Sequence, residues 1–324
     1  MKKALAIFLL ALSAPTLMAQ TGSTGYEFLN IPTSAHSAAL GGNNVSIIED
    51  DATLLFNNPA LLANVTDKTL NLNFMTYMSG SNKLSAAFAK QWGERGTWAV
   101  AAQVLNYGKM TETNENFEEI GSFSANDIGI QGGYTYLLND QWSGGVQGKV
   151  LLSNYGDYNS VALAVDLGVN YYHEDNGISF ALVAQNLGGE VSPLYEKAQK
   201  LPFNLVMGFS KEFANAPFRI SVTADQLTHW DEDYFAVSGE SISGSKRFLN
   251  HFALGADFFP SAQTWVAIGY NFRRAYEMKV LDKSHWAGIS LGAGLSIKKF
   301  KVGVSYGKYH VAASSIIANV SYSF

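Results

Sequence analysis

The sequence predicts an all-β protein: a fourteen-stranded antiparallel transmembrane β-barrel with an N-terminal hatch, or plug, that contains a short helix. Three observations lead there. Charged residues are only 15% of the chain, against roughly 25% in soluble domains, while Tyr (16), Phe (20) and Gly (30) are abundant. After the N-terminus no run of roughly 18 apolar residues occurs, so crossing by helices is not expected. Polar and apolar residues instead alternate along many segments, the pattern of strands that show one face to lipid and the other to a lumen.

The chain begins with an export segment. Lys2 and Lys3 precede an apolar core from Ala4 to Leu12, too short for a membrane anchor, and Leu17 and Ala19 form a tolerable cleavage site before Gln20. Residues 1–19 are therefore expected to be removed, leaving residues 20–66 as the hatch and 67–324 as the barrel. There is no cysteine, which excludes both a disulfide framework and a lipidated mature N-terminus. The formal charge of −5 carries no nucleic-acid signal.

The stretch "LLFNNPALLANV" (54–65) interrupts the alternation. Its leucines cluster around Pro59, which fits the first position of a short helix, with Asn58 as its cap. The pair Gly41-Gly42 allows a tight reversal before the acidic run Glu49-Asp50-Asp51. A fourteen-strand lumen is wider than its own side chains can fill, so this segment is expected to fold into the barrel mouth as a plug.

The strands follow at approximately 68–79, 82–92, 96–107, 124–138, 141–156, 158–173, 176–187, 202–213, 216–229, 249–260, 262–273, 285–296, 299–308 and 312–324. Most reach the about 9–11 residues that a tilted strand needs to cross a bilayer. An unpaired amide in hydrocarbon costs several kcal/mol, so the sheet must close on itself. Every second connection is short. The long ones (108–123, 188–201, 230–248 and 274–284) fall in the other set, as short periplasmic turns and long outer loops require. In the last strand Ile316, Ala318, Val320, Tyr322 and Phe324 share one face. A terminal aromatic with another two residues earlier, here Phe324 and Tyr322, resembles the insertion signal of bacterial outer-membrane barrels. Trp92, Trp98, Tyr107, Trp142, Tyr155 and Trp265 lie near strand ends and suit interfacial girdles. The inward charges Lys149, Asp166, Arg219, Asp225 and Lys301 are expected to pair with one another or with the plug.

No catalytic or metal motif appears. The six histidines (36, 173, 229, 251, 285, 310) are scattered. "GGVQGKV" (144–150) places Val150 where a phosphate loop needs Ser or Thr, and no Gly-x-Ser-x-Gly elbow occurs. The chain reads as a non-enzyme without cofactor or metal.

"NNPALL", preceded by "SAALGGNNVSIIEDD", resembles the hatch of FadL-type outer-membrane barrels, with Asn58, Pro59 and Ala60 matching the family's Asn-Pro-Ala motif. Within that group the string 25–62, with "LNYGKM" (105–110), is most similar to the PorV/PorQ family of the Bacteroidetes type IX secretion system. The resemblance implies an integral outer-membrane protein of a Gram-negative cell. It also implies a docking role, holding a PorZ-like surface protein of the attachment complex. That protein works with a PorU/PorV-like sortase pair, among lipid and lipopolysaccharide. The broader FadL-type resemblance implies an alternative, passive import of long-chain fatty acids or other hydrophobic compounds. The acidic loops 108–123 and 230–248 offer such compounds little to bind.

Overall fold

The computed structural model describes residues 25–193, 198–231, 242–278, 286–310 and 313–324. The export segment 1–19, the hatch's first residues 20–24 and most of the 230–248 connection lie outside the described residues.

Fourteen strands close into one antiparallel barrel in which each pairs with its neighbours in sequence and the last returns to the first. They are β1 (Thr69–Thr76), β2 (Asn82–Trp92), β3 (Gly96–Thr113), β4 (Glu119–Leu137) and β5 (Trp142–Tyr155). Next come β6 (Tyr158–His173), β7 (Ile178–Ser192), β8 (Asn204–Glu212), β9 (Phe218–Ala224) and β10 (Phe252–Ser261). The circuit ends with β11 (Thr264–Asn271), β12 (Ile289–Ile297), β13 (Phe300–His310) and β14 (Ala313–Ser323). The closing seam runs from Thr69↔Ser323 to Met75↔Ile317, and Phe324 N–H donates to the Lys68 carbonyl at its end.

Alternation sorts the side chains as lipid outside and a polar lumen require. On β1, Leu72 and Phe74 point outward at 50% and 45% exposure, while Asn71 and Asn73 are buried inside. Leu163, Val165 and Leu167 repeat the outward row on β6, with Ala162, Ala164, Asp166 and Asn170 inward. Val302, Val304 and Tyr306 do so on β13, and Ile316 and Val320 on β14.

Four expectations change at the outer rim. The segment 108–123 is a loop only at 114–118: β3 and β4 stay paired from Gly108↔Ala125 to Thr113↔Glu119, because Thr-rich "KMTET" and "EIGSFS" continue the ladder beyond the barrel wall. β7 likewise continues to Ser192, into the expected 188–201 loop. In the other direction, β9 stops at Ala224, so Asp225 lies just past the strand, and β11 gives way to a helix at Phe272–Glu277.

Not all end aromatics face lipid. Trp265 lies on the inward row of β11 with buried Ala267, and the Tyr107 and Tyr155 hydroxyls both donate to inward Asp127 at 2.6 and 2.8 Å. Alternation, rather than position along the strand, decides which side an aromatic serves.

Candidate functional site

Residues 25–66 lie inside the barrel and are mostly buried. Their regular structure is slight: short 3₁₀ turns at Glu27–Asn30, Ala52–Phe56 and Pro59–Asn64, and the helix α1 (Ala35–Ala39) capped by the Ser34 side chain. The short helix expected to start at Pro59 is thus a 3₁₀ turn, preceded across Asn57-Asn58 by another at Ala52–Phe56. Pro59 takes the first position of the second turn, and Asn58 Oδ1 accepts from Ala60 N–H at 2.9 Å. Asn58 also donates to the Val45 carbonyl at 2.9 Å, so one side chain both caps the turn and ties it to the neighbouring hatch segment.

The Asn58-Pro59-Ala60 step sits in a notch. Gly145 on β5 and Gly168 on β6 are register partners, and a Cβ at Gly145 would come within 2.5 Å of Pro59 C and Ala60 N. At Gly168 a Cβ would meet the Asn58 amide oxygen. Ser143 Oγ donates to the Ala60 carbonyl at 3.0 Å, and Thr135 Oγ1 donates to that of Pro59. Gly41 and Gly42 both have φ in the left-handed region (103° and 121°) and turn the chain out of α1. The Gly41 carbonyl accepts from Arg274 Nη2 at 2.6 Å and Asn271 Nδ2 at 3.0 Å.

A coil this irregular leaves many carbonyls without a backbone partner, and a buried orphan is costly. The barrel supplies the donors. Lys83 donates to the Ile31 carbonyl (2.5 Å), Arg219 to Ile48 (3.2 Å), Arg274 to Gly41, and Lys301 to Asp50 (2.9 Å). Gln185 donates to Asn57 (2.7 Å), Ser290 to Ala39 (2.9 Å) and Tyr309 to Ala38 (3.2 Å). The cations come from β2, β9, the Phe272–Glu277 helix and β13, so the hatch is gripped from several sides of the ring.

The densest grip is a buried charge cluster. His36 Nδ1 meets Glu49 Oε2 at 2.8 Å, and its Nε2 meets Asp257 Oδ1 at 2.6 Å. The other Asp257 oxygen accepts from Arg219 Nε at 2.7 Å, and Trp265 stacks on the imidazole at 3.8 Å between ring centroids, 4° from parallel. Burial alone would push His36 down, but the Glu49 and Asp257 carboxylates on its two nitrogens outweigh it and hold its pKa at about 9. Burial pushes Glu49 up, and the His36 and Arg219 charges outweigh this to leave it below its ordinary value. The imidazole is therefore a cation at neutral pH, lying flat on an indole face, a favourable cation–π arrangement.

Of the expected inward charges, Lys149 pairs with Asp166 at 2.7 Å within the wall, and Lys301 and Arg219 reach the hatch. Asp225 stands apart from these pairs, its carbonyl accepting from His251 Nδ1 at 2.8 Å. Sequence reasoning missed Asp257 and took His36 as one of several scattered histidines. The signal that could have found them is an acid at the centre of the outward-apolar β10 pattern (Leu254, Phe258), facing the lumen with nothing nearby in sequence to neutralise it. Tyr322 and Phe324 meet edge-on at 4.9 Å, and Tyr322 leans on Phe300 at 4.7 Å, at the end where the seam closes. Among the described residues no group of His, Cys, Asp and Glu is arranged to hold a metal ion.

Two of the cavities beside the hatch have a mixed polar and apolar lining. One of about 130 Å³ is lined by His36, Glu49, Asp51, Asn71, Trp265 and Lys301; the other, about 50 Å³, by Asn57, Gln185, Asn204, Asp225 and Gln226. An apolar cluster of Tyr26, Phe28, Leu105, Leu151, Ala162 and Leu201 covers the hatch on the side away from the chain's C-terminus.

No protein-family model and no curated protein matches the chain. Solved structures do. The Ralstonia pickettii toluene transporter TbuX superimposes with a TM-score of 0.56 at 13% identity, covering 91% of this chain and 98% of its own. The Pseudomonas putida toluene transporter TodX gives 0.56 at 13%, with 90% and 98% covered. A Pseudomonas aeruginosa FadL homologue gives 0.57 at 10%, again with 90% and 98% covered. The first two of these neighbours are named as toluene transporters. At such identities the likeness is one of architecture: the chain has the closed fourteen-strand barrel fold of FadL-like proteins.

Proposed function

We propose that the chain is a non-enzymatic outer-membrane barrel, sealed by its own hatch, that serves as a docking platform for a protein at the cell surface. This is the role implied by the resemblance to the PorV/PorQ family, with a PorZ-like protein of an attachment complex as the partner. One observation carries the reading: among the described residues the lumen holds a segment gripped through its carbonyls by Lys83, Arg219, Arg274 and Lys301, with a cavity of about 130 Å³ beside the charge cluster. The paired β3–β4 extension presents an acidic surface above the rim, with Met110, Phe117 and Ile120 also exposed on it.

A second reading is import of small hydrophobic compounds, and the fold comparisons favour it over the first, because the neighbours include toluene transporters. The apolar cluster around Phe28 and Leu105 would be its landing place. Liposomes carrying the purified full-length protein separate the two. The platform reading expects no uptake of labelled toluene or long-chain fatty acid above protein-free liposomes, and negligible conductance until residues 20–66 are deleted. Saturable uptake by the intact protein would establish the importer instead.

A further inference from the structure

The last rung between β2 and β3 is Asn82↔Asn106, and the last between β4 and β5 is Ala125↔Tyr155. Beyond these rungs β3 and β4 form ladder pairs only with each other, up to Thr113↔Glu119, apart from one turn contact in which Gly156 N–H donates to the Ser124 carbonyl at 3.1 Å. At about 3.3 Å per residue, the seven residues 107–113 carry this two-stranded ribbon roughly 20 Å along its own axis past the neighbouring strands. Residues 109–113 and 118–122 are exposed. Among the described residues, neither outer edge of the ribbon has a strand beside it, so each edge presents a row of backbone donors and acceptors with no ladder partner.

The ribbon is pre-shaped. Asn114 Oδ1 accepts from Asn116 N–H at 2.9 Å and Glu118 N–H at 3.0 Å, and Phe117 N–H donates to the Asn114 carbonyl at 3.0 Å, which fixes the tip. Phe117 stands at that tip with 90% exposure. The charge is one-sided. Over 107–123, Lys109 faces Glu112, Glu115, Glu118 and Glu119, a net −3.

We propose that this ribbon is a strand-addition site that takes an extended, basic segment of a surface protein. The inference rests on the platform reading and names the chemistry of its partner. A free edge can be completed by any extended chain, and charge selects among the candidates. A second copy of this ribbon would set −3 against −3. Anionic lipopolysaccharide is repelled in the same way. A strand carrying Lys or Arg gains from the glutamates on both edges while its backbone satisfies the open row. Because the ribbon is already ordered, little conformational entropy is lost on this side of the complex.

The test uses the full-length protein in nanodiscs and a fluorescent peptide of about ten residues alternating Lys with Val and Thr. A counterpart of equal charge, with alternate residues replaced by Pro, cannot pair as a strand. The strand peptide is expected to bind, and the Pro peptide and the Glu112→Lys/Glu119→Lys variant are each expected to weaken binding at least roughly tenfold. Equal binding of both peptides, or binding indifferent to the charge reversal, overturns the inference. In cells, a photocrosslinker at Thr111 or Ser122 is compared with one at Ser245, on another outer connection. Capture at Thr111 or Ser122 that the strand peptide competes away supports the site. Capture at Ser245 alone leaves the platform standing without the ribbon, and capture at none of the three removes the platform itself.

Discussion

Asp257→Ala tests the hatch's attachment directly. Asp257 joins His36 of the hatch and Arg219 of the wall at 2.6 and 2.7 Å, and Arg219 in turn donates to the hatch carbonyl of Ile48. Removing one partner of a buried ion pair costs about 3–5 kcal/mol, because the remaining charge stays desolvated. His36 can shed its proton and the adjacent cavity can admit water, so the lower end applies: about 3 kcal/mol, or two powers of ten in the equilibrium between seated and released hatch. The chain has no cysteine, so a single Val45→Cys supplies a unique buried thiol in the hatch. Its maleimide labelling rate follows local opening when closing outruns labelling. Asp257→Ala should raise that rate roughly a hundredfold, and Asp257→Asn, which keeps an acceptor, should raise it less. If Asp257→Ala migrates as a folded barrel on heat-modifiability gels yet labels at most about threefold faster, the cluster does not hold the hatch and the reasoning fails.

The pH dependence follows from His36, whose folded pKa of about 9 lies above its ordinary 6.5. Its contribution is fully present below 6.5 and is lost as pH rises through 9. Glu49 contributes above its ordinary value, and its share is lost as pH falls through the lowered one. Labelling at Val45→Cys, normalised to a thiol at exposed Phe117, should therefore climb between about pH 6.5 and 9 and level off above, and His36→Gln should abolish that climb. Gly145→Val places side-chain atoms where Pro59 and Ala60 sit. Overpacking of about 1–3 kcal/mol should raise hatch labelling while the folded-barrel yield, read on gels, stays unchanged. Replacing Phe324 by Ser removes the aromatic edge on Tyr322 at the closing seam, and pulse-chase should show a smaller fraction of chain reaching the heat-modifiable form.

The barrel was legible because period-two alternation is a local property: the Leu72–Phe74 and Leu163–Leu167 rows declare their faces without help from other strands. The Asn58 cap was legible for the same reason, lying two residues from its donor. The charge cluster was not. His36 and Asp257 are 221 residues apart, and no spacing rule links them. Tyr107, Tyr155 and Trp265 were misread because nearness to a strand end does not say which face a side chain takes. The rigid β3–β4 ribbon was misread because its charge suggested a loop, whereas a ladder depends on backbone pairing and tolerates charge on exposed faces.

The donors that grip the hatch also set an order of events. The segment they hold emerges from the ribosome first, yet Arg219, Asp257, Arg274 and Lys301 are made late. With many of its carbonyls satisfied only by barrel side chains, the N-terminal segment lacks most of what fixes its shape before the cylinder exists. It waits without a fixed form, and the final closure of first strand on last is the event that gives it one.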